Sequence, residues 1–192
     1  MSKTVNIMLA GVGGQGVLLA SEVISKSALK EDYDVKKSEV HGMAQRGGSV
    51  VSNVRFGKKV YSPLIAEGEA DILLAFEKLE ALRWINYLKE DGIIITNTQR
   101  IDPLPVANGK VDYPEDIMER LEKSGHKIVS VDALSAAREA GTQKVINTVL
   151  LGALVNYTNL SAEVFEEVIK ENVPEKTIEI NTNAFKAGLN SV

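Results

Sequence analysis

The chain has no cysteine among its 192 residues. That excludes disulfides, thiolate zinc sites, a cysteine nucleophile and cysteine-held iron–sulfur clusters within it. It also fits a cytoplasmic setting, where thiols stay reduced. Only two histidines occur, His41 and His126. They lie too far apart for a local metal-ligand pair, and no H-x-x-x-H is present. Aromatic residues are 5% of the chain, so aliphatic side chains must build most of the core. No apolar run approaches the roughly 18 residues a membrane helix needs. Met1–Thr4 leads straight into Val5–Ala10, a short run ending in a glycine loop, which reads as a strand and not as a signal peptide. There is no G-x-S-x-G nucleophile elbow, and Gly16 is not followed by the Lys-Ser/Thr of a phosphate-binding Walker loop.

What is present describes one ordinary globular domain over 1–192. Apolar residues make up 44% and charged residues 25%, near the globular average. A domain of this size buries about 70% of its extended-chain surface and needs no staples. The net charge of −4 argues against a general nucleic-acid binder. The charge is uneven. Lys36, Lys37, Arg46, Arg55, Lys58 and Lys59 face only Asp34 and Glu39 between residues 34 and 60, which makes a basic segment in an acidic chain. Such a segment is either a solvated edge or a patch for a phosphate or an acidic partner.

The periodicity alternates strands with helices. Strands are expected at Val5–Ala10, Asp34–Val40, Ser49–Phe56, Asp71–Phe76, Ile93–Ile95 and Lys127–Val131. Helices are expected at Gln15–Lys30, Leu79–Leu88 (stopped by Asp91-Gly92), Pro114–Lys123 and Leu134–Ala140. Further helices are expected at Val145–Tyr157, at Ser161–Glu171 with Ser161 as N-cap, and at Pro174–Gly188. Gly57-Lys58 followed by Lys59-Val60-Tyr61 suggests a β-hairpin turning at Gly57. This pattern gives an α/β, Rossmann-like three-layer domain with a mostly parallel sheet plus a hairpin.

Two glycine-bearing segments stand out. Gly11-Val12-Gly13-Gly14-Gln15-Gly16 matches G-x-G-x-x-G between a strand and a helix. In that context glycines let a ligand approach the backbone, and a helix N-terminus favours an anion. The dinucleotide fingerprint also wants an acid at the end of the second strand. Glu39 lies near there, but in a Lys-rich stretch that speaks against NAD. The alternative is that the glycines only permit tight strand–helix packing. The second segment is His41-Gly42-Met43-Ala44-Gln45-Arg46-Gly47-Gly48. It follows the second strand, at the sheet end where α/β proteins bind ligands, beside the first loop. Arg46 suits a carboxylate or phosphate, and His41 suits a hydrogen-bonding role near neutral pH. Each also has a plain structural reading, as a surface ion pair and a strand-end cap. Asn97, Asn147 and Asn156 are read as structural, the acidic run Glu67, Glu69 and Asp71 as an exposed loop without a role, and His126, after Gly125 in a turn, as solvated.

Together, the two glycine segments resemble the small-subunit family of 2-oxoacid:ferredoxin oxidoreductases, in its indolepyruvate branch. Glu69–Glu77 and Asn147–Ala153 resemble segments of the same family, and the likeness spans nearly the whole chain. The resemblance implies a complex that oxidatively decarboxylates a 2-oxoacid, in this branch an aryl pyruvate. It uses thiamine diphosphate, magnesium, iron–sulfur clusters, coenzyme A and ferredoxin, with the thiamine diphosphate and clusters on a large partner subunit. The sequence has no cysteine and no G-D-G followed by Asn-Asn, so it agrees with a chain that holds none of these alone. The family implies that the chain docks on the large subunit, with Gly11, Gly13, Gly14, Gln15, Gly16, His41, Gly42, Gln45, Arg46, Gly47 and Gly48 at the ligand or interface face. No residue is assigned a catalytic role. A relative acting on pyruvate, 2-oxoisovalerate or 2-oxoglutarate remains an alternative, as do a stand-alone nucleotide-binding enzyme and a scaffold module. An isolated subunit with a bare interface is open to forming a homodimer.

Overall fold

Alternation of buried side chains sorts the core onto the two faces of a single sheet. The structure, a computed structural model, describes residues 4–41 and 48–191. β1 (Val5–Val12) sends Ile7 and Leu9 to one face and Met8 and Ala10 to the other. After it come α1 (Val17–Lys30), β2 (Asp34–His41), β3 (Ser49–Gly57), β4 (Ala70–Ala75), α2 (Lys78–Trp84) and β5 (Leu88–Asn97). Then follow α3 (Leu104–Ala107), α4 (Ile117–Glu122), β6 (Lys127–Val131), α5 (Ala133–Glu139), α6 (Ile146–Val155), α7 (Ala162–Asn172) and α8 (Ile178–Leu189).

The strand order is β2-β3-β1-β4-β5-β6. β1, β4, β5 and β6 pair in parallel, and β3 runs antiparallel to both β1 and β2. Ile7, Leu9, Phe56, Leu74 and Ile95 face a core closed by α1 and α5–α8, whereas Met8, Leu73 and Ile94 face a smaller core closed by α2 and α4. The central strand β4 is buried on both faces, as its continuous apolar run requires.

α6 is buried from Asn147 to Val155, which is how a helix apolar on all sides behaves in a soluble domain. It crosses α8 closely enough that a Cβ on Gly188 would lie 1.8 Å from Val149 O, and one on Gly152 would lie 2.1 Å from Phe185 O. The two helix backbones touch there, and only glycine fits. α7 is capped as its sequence suggests, with Ser161 Oγ accepting from Val164 N–H at 3.4 Å.

Two sequence expectations need correction. Gly57 is not a turn. It is the last residue of β3, paired with Asp34, and Lys59-Val60-Tyr61 forms no strand. The hairpin joins β2 to β3, so its connection falls in 42–47, outside the described residues. The alternating Ser49–Phe56 segment finds partners on both edges and has no need of a third. Next, the helix expected at Leu79–Leu88 ends at Trp84, and a 3-10 turn Ile85–Tyr87 leads into β5 at Leu88. Asp91-Gly92 is not a stop signal but sits where β5 shifts register against β4, between the Ala70–Leu88 and Ile72–Ile93 pairs. In the basic segment, three of the six cations meet carboxylates within the fold. Lys36 and Lys59 pair with Asp34, and Lys37 pairs with Glu22 and Glu39. Arg55 donates to Asn6 Oδ1 and to the carbonyls of Ser62 and Leu64. The Lys36 ammonium, helped by Val60 N–H, holds the Asp34 carboxyl down at about 2. The short helix α3 was not anticipated, and among the described residues no helix is long and apolar enough to cross a membrane.

Replacing Gly188 with alanine is expected to drive Cβ into the α6 backbone. Overpacking of this kind costs about 2–3 kcal/mol, or about 5–10 °C in Tm for a domain of this size. Calorimetry of Gly188→Ala checks it, and an unchanged Tm would mean that the two helices separate without strain.

Candidate functional site

The chain leaves β1 toward β2 on one side and returns to β4 on the other. Such a reversal opens a crevice outside the carboxyl ends of the two diverging strands. Here that crevice lies between the loop after β1 and the residues after β4. Gly11 to Gly16 form its first lip. A Cβ on Gly11 would lie 2.9 Å from Phe76 Cβ and 2.7 Å from Val17 Cγ2, so glycine is required for packing. Gly16, with φ +80°, is the N-cap of α1 and has no side-chain cap bond.

The loop is tied down by its own hydrogen bonds. Gly13 N–H donates to Gly48 O at 2.9 Å, and Gln15 N–H donates to Val12 O at 3.1 Å. The Gln15 side chain turns inward. Its Oε1 accepts from Val12 N–H at 2.7 Å, and its Nε2 donates to Phe76 O at 2.8 Å. Asn97 Nδ2 reaches the same carbonyl at 3.2 Å, and Phe76 N–H donates to Ala10 O at 2.8 Å. One glutamine amide therefore stitches β1 to β4 across the crevice.

The structure thus brings Gly11, Gly13, Gly14, Gln15, Gly16 and Gly48 together. The backbone of His41 joins the same edge, paired with Val50 one step from the Val12–Ser49 pair. Gly42, Gln45, Arg46 and Gly47 lie outside the described residues.

The second lip follows β4. Glu77 is fully buried and caps α2, with Oε2 accepting from Leu79 N–H at 2.7 Å and Glu80 N–H at 3.3 Å. Its Oε1 accepts from Tyr113 O–H at 2.5 Å and Ile101 N–H at 3.4 Å. These donors are neutral, and burial pushes the Glu77 carboxyl above its usual range against their pull. Burial and the Glu77 carboxylate in turn push the Tyr113 phenol well above its ordinary value. The Arg100 guanidinium lies 4.1 Å from the Tyr113 ring centre, where a cation meets the face of an aromatic. Glu80, also buried, accepts from Ser49 O–H at 2.5 Å and Trp84 Nε1–H at 3.3 Å, and pairs with Arg83 at 2.9 Å.

Two clefts flank the stitched crevice. One, of about 500 Å³, lies beside Val12, Gly48, Ser49, Glu80 and Arg83. The other, of about 300 Å³, lies beside Gly14, Gln15, Gln99, Gln143 and Lys144. Glu77, Glu80, Gln99, Tyr113 and Lys144 were not singled out from sequence. Glu77 carried a usable signal, since an acid directly after a buried strand and before a helix suits a cap. Tyr113 carried none, because residues 98–116 have no period to place it.

The residues read as structural behave so. Asn156 Nδ2 bonds Leu189 O at 3.0 Å. Asp71 accepts from Asn6 N–H at 2.8 Å and pairs with Lys89. His126, expected to be solvated, is instead half-buried, with its Nδ1 enclosed and unpartnered. Among the described residues no group of three histidine or carboxylate side chains is arranged to hold a metal.

A model of the pyruvate ferredoxin/flavodoxin oxidoreductase family matches residues 6–191. The chain belongs to this family. The indolepyruvate oxidoreductase subunit IorB of Thermococcus kodakarensis is 46% identical over 192 residues, covering 97% of this chain and 95% of its own. The solved pyruvate oxidoreductase subunit PORC of Thermotoga maritima superposes with a TM-score of 0.73 at 25% identity, covering 97% and 95% of the two chains. The same fold occupies 31% of a longer chain, a 2-oxoglutarate:ferredoxin oxidoreductase of Magnetococcus marinus, with a TM-score of 0.77 at 20% identity. There it covers the whole of the present chain.

The buried carboxyl makes a pH prediction. Glu77 binds its proton more tightly folded than unfolded, because its folded pKa is raised from 4.5. Its contribution to stability is therefore full below about 4.5 and is lost as pH rises through the higher folded value. Denaturant unfolding between pH 4 and 8 should show Glu77→Gln gaining on the wild type as pH rises. A wild-type-minus-variant difference that is flat with pH would contradict this.

Proposed function

We propose that this chain is the small subunit of an indolepyruvate (aryl-pyruvate):ferredoxin oxidoreductase, completing a larger subunit that carries the redox centres. The observation behind the reading is the 46% identity to an indolepyruvate oxidoreductase subunit over nearly the full length of both chains. The reaction would convert an aryl pyruvate to an aryl-acetyl-CoA, with loss of CO2 and reduction of ferredoxin. It belongs to anaerobic degradation of aromatic amino acids in the cytoplasm. The complex would draw on thiamine diphosphate, magnesium, iron–sulfur clusters and coenzyme A.

This chain's own residues do not fit a cluster, since it has no thiolate to offer. Its work is positional. The sheet end bearing Gly11–Gly16, Gly48 and the end of β2 is the face we assign to the large subunit. Closing that face over a reacting centre excludes water and fixes reactants in place. The rigid stitch through Gln15 suits a surface that must hold its shape on docking. Arg46 would supply a charge to an anionic group there, and His41 a hydrogen bond.

A second reading keeps the architecture and changes the substrate to pyruvate, 2-oxoisovalerate or 2-oxoglutarate. The likeness to a pyruvate oxidoreductase subunit favours carrying it.

The test is anaerobic co-purification of the full chain with its cluster-bearing partner, followed by dye reduction with each 2-oxoacid and coenzyme A. Indolepyruvate-dependent reduction is expected for the pair and none for the isolated chain. Arg46→Ala should lower the rate of the pair about tenfold or more if it helps hold a reactant. Failure to recover such a partner would sink the subunit reading, and preference for pyruvate or 2-oxoglutarate would select the second.

A further inference from the structure

The two oxygens of the buried Glu77 carboxyl have different tasks. Oε2 caps α2 by accepting from Leu79 and Glu80 N–H. Oε1 holds the connection between β5 and α4, and it does so at two points, Ile101 N–H at 3.4 Å and Tyr113 O–H at 2.5 Å. The residues between them, 102–112, thus leave and return at a single oxygen atom. A surface loop of this length with its ends together is an Ω-loop, a form that frequently carries function.

Between those two points the loop is bonded to itself. Val106 and Ala107 N–H both donate to Pro103 O at 2.9 Å, and Gly109 N–H donates to Val106 O at 2.9 Å. Asp102 pairs with Arg100, its near neighbour in the chain. Among the described residues no hydrogen bond or ion pair joins 102–112 to another element of the domain. Apolar contact is also sparse. Residues 107–112 are exposed, and Val106 is half-buried against the core closed by α2 and α4. A segment with few buried contacts opens locally, at a lower free energy than global unfolding.

The loop's position is the second, independent observation. Pro103, Val106, Val111 and Asp112 line the larger cleft, whose remaining walls include Val12, Ser49, Leu79 and Arg83. Ile101, at the first end of the loop, lines the smaller cleft with Gly14 and Gln15. Residues 101–103 therefore stand between two clefts that both border the glycine loop. On the α2 side the polar groups are already engaged, since Ser49 and Arg83 both bond Glu80. That wall offers the loop apolar contact and no polar anchor.

We propose that 102–112 is a lid on the crevice at the carboxyl end of the sheet, closed in this structure, with Glu77 Oε1 as its clasp. Opening moves Pro103 and Val106 away from α2 and joins the two clefts into one. The strands and α2 stay in place, because the cap of α2 uses the other oxygen of Glu77. Sharing one acceptor makes the closed position definite, since both ends of the loop are set by the same atom. The lid goes beyond the subunit reading and does not depend on which partner or substrate the chain has.

The chain has no cysteine, so Val106→Cys gives the full chain one thiol, placed on the lid where it meets the core. Its rate of reaction with a disulfide reagent reports opening, and amide exchange at Ile101 reports the clasp. Both should be faster than global unfolding permits and nearly constant in low guanidinium, because local opening exposes little surface. Adding Tyr113→Phe removes the shorter clasp bond and keeps the ring under Arg100, so the thiol rate should rise about tenfold or more. If the double variant does not fold, the denaturant dependence of the thiol rate and of Ile101 exchange still decides. Reaction only at the rate of global unfolding, reaction as fast as a fully exposed thiol, or equal rates with and without Tyr113→Phe would each overturn the proposal.

Discussion

A single carbonyl organises the carboxyl end of this sheet. Phe76 O sits where β4 ends and accepts both the Gln15 and the Asn97 side-chain amides. Gln15 in turn accepts from Val12 N–H, so the ends of β1, β4 and β5 are held by three links through two side chains. Parallel strands that diverge at a topological reversal would otherwise splay there and leave their last polar groups unpaired. The stitch satisfies those groups and sets the spacing of both clefts. The glycine at position 11 belongs to the same constraint, because any side chain there would push Phe76 and Val17 apart.

The antiparallel strand β3 has a comparable influence on the site. Because it lies between β2 and β1, the end of β2 and the start of β3 return to the same edge as the glycine loop. The Gly13–Gly48 hydrogen bond is the visible join. Gly13 and Gly48, far apart in sequence, thus lie on one edge of the sheet. A fully parallel arrangement would have required a second crossover and would have put other residues there.

Charge is used locally. The basic stretch in the sequence is dispersed into pairs with Asp34, Glu22 and Glu39, most of them partly exposed and therefore worth little individually. Of the two buried carboxyls, Glu80 pairs with Arg83, whereas Glu77 is held by neutral donors. Glu77 relies on backbone N–H groups and a tyrosine hydroxyl, which makes it sensitive to pH and rigidly positioned at the start of α2. Lys144 remains as a cation facing a cleft, which distinguishes it from the lysines of β2.

By itself the sequence determined the α/β class, most strand and helix positions, and the nearness of the two glycine segments. These follow from local periodicity, from caps such as Ser161, and from the uninterrupted apolar runs of β4 and α6. The family resemblance was also legible, because it rests on contiguous residues. Tertiary structure alone decided where the hairpin closes, since Ser49–Phe56 alternates equally well with one partner or two. It decided that Asp91-Gly92 absorbs a register shift, because only the pairing of β5 on β4 makes that necessary. It also decided which polar side chains are structural and which face a cleft. Gln15 and Asn147 are both amides beside the same helix start, and in sequence nothing separates them. Only the fold ties the first to Val12 and Phe76 and packs the second against Gly16.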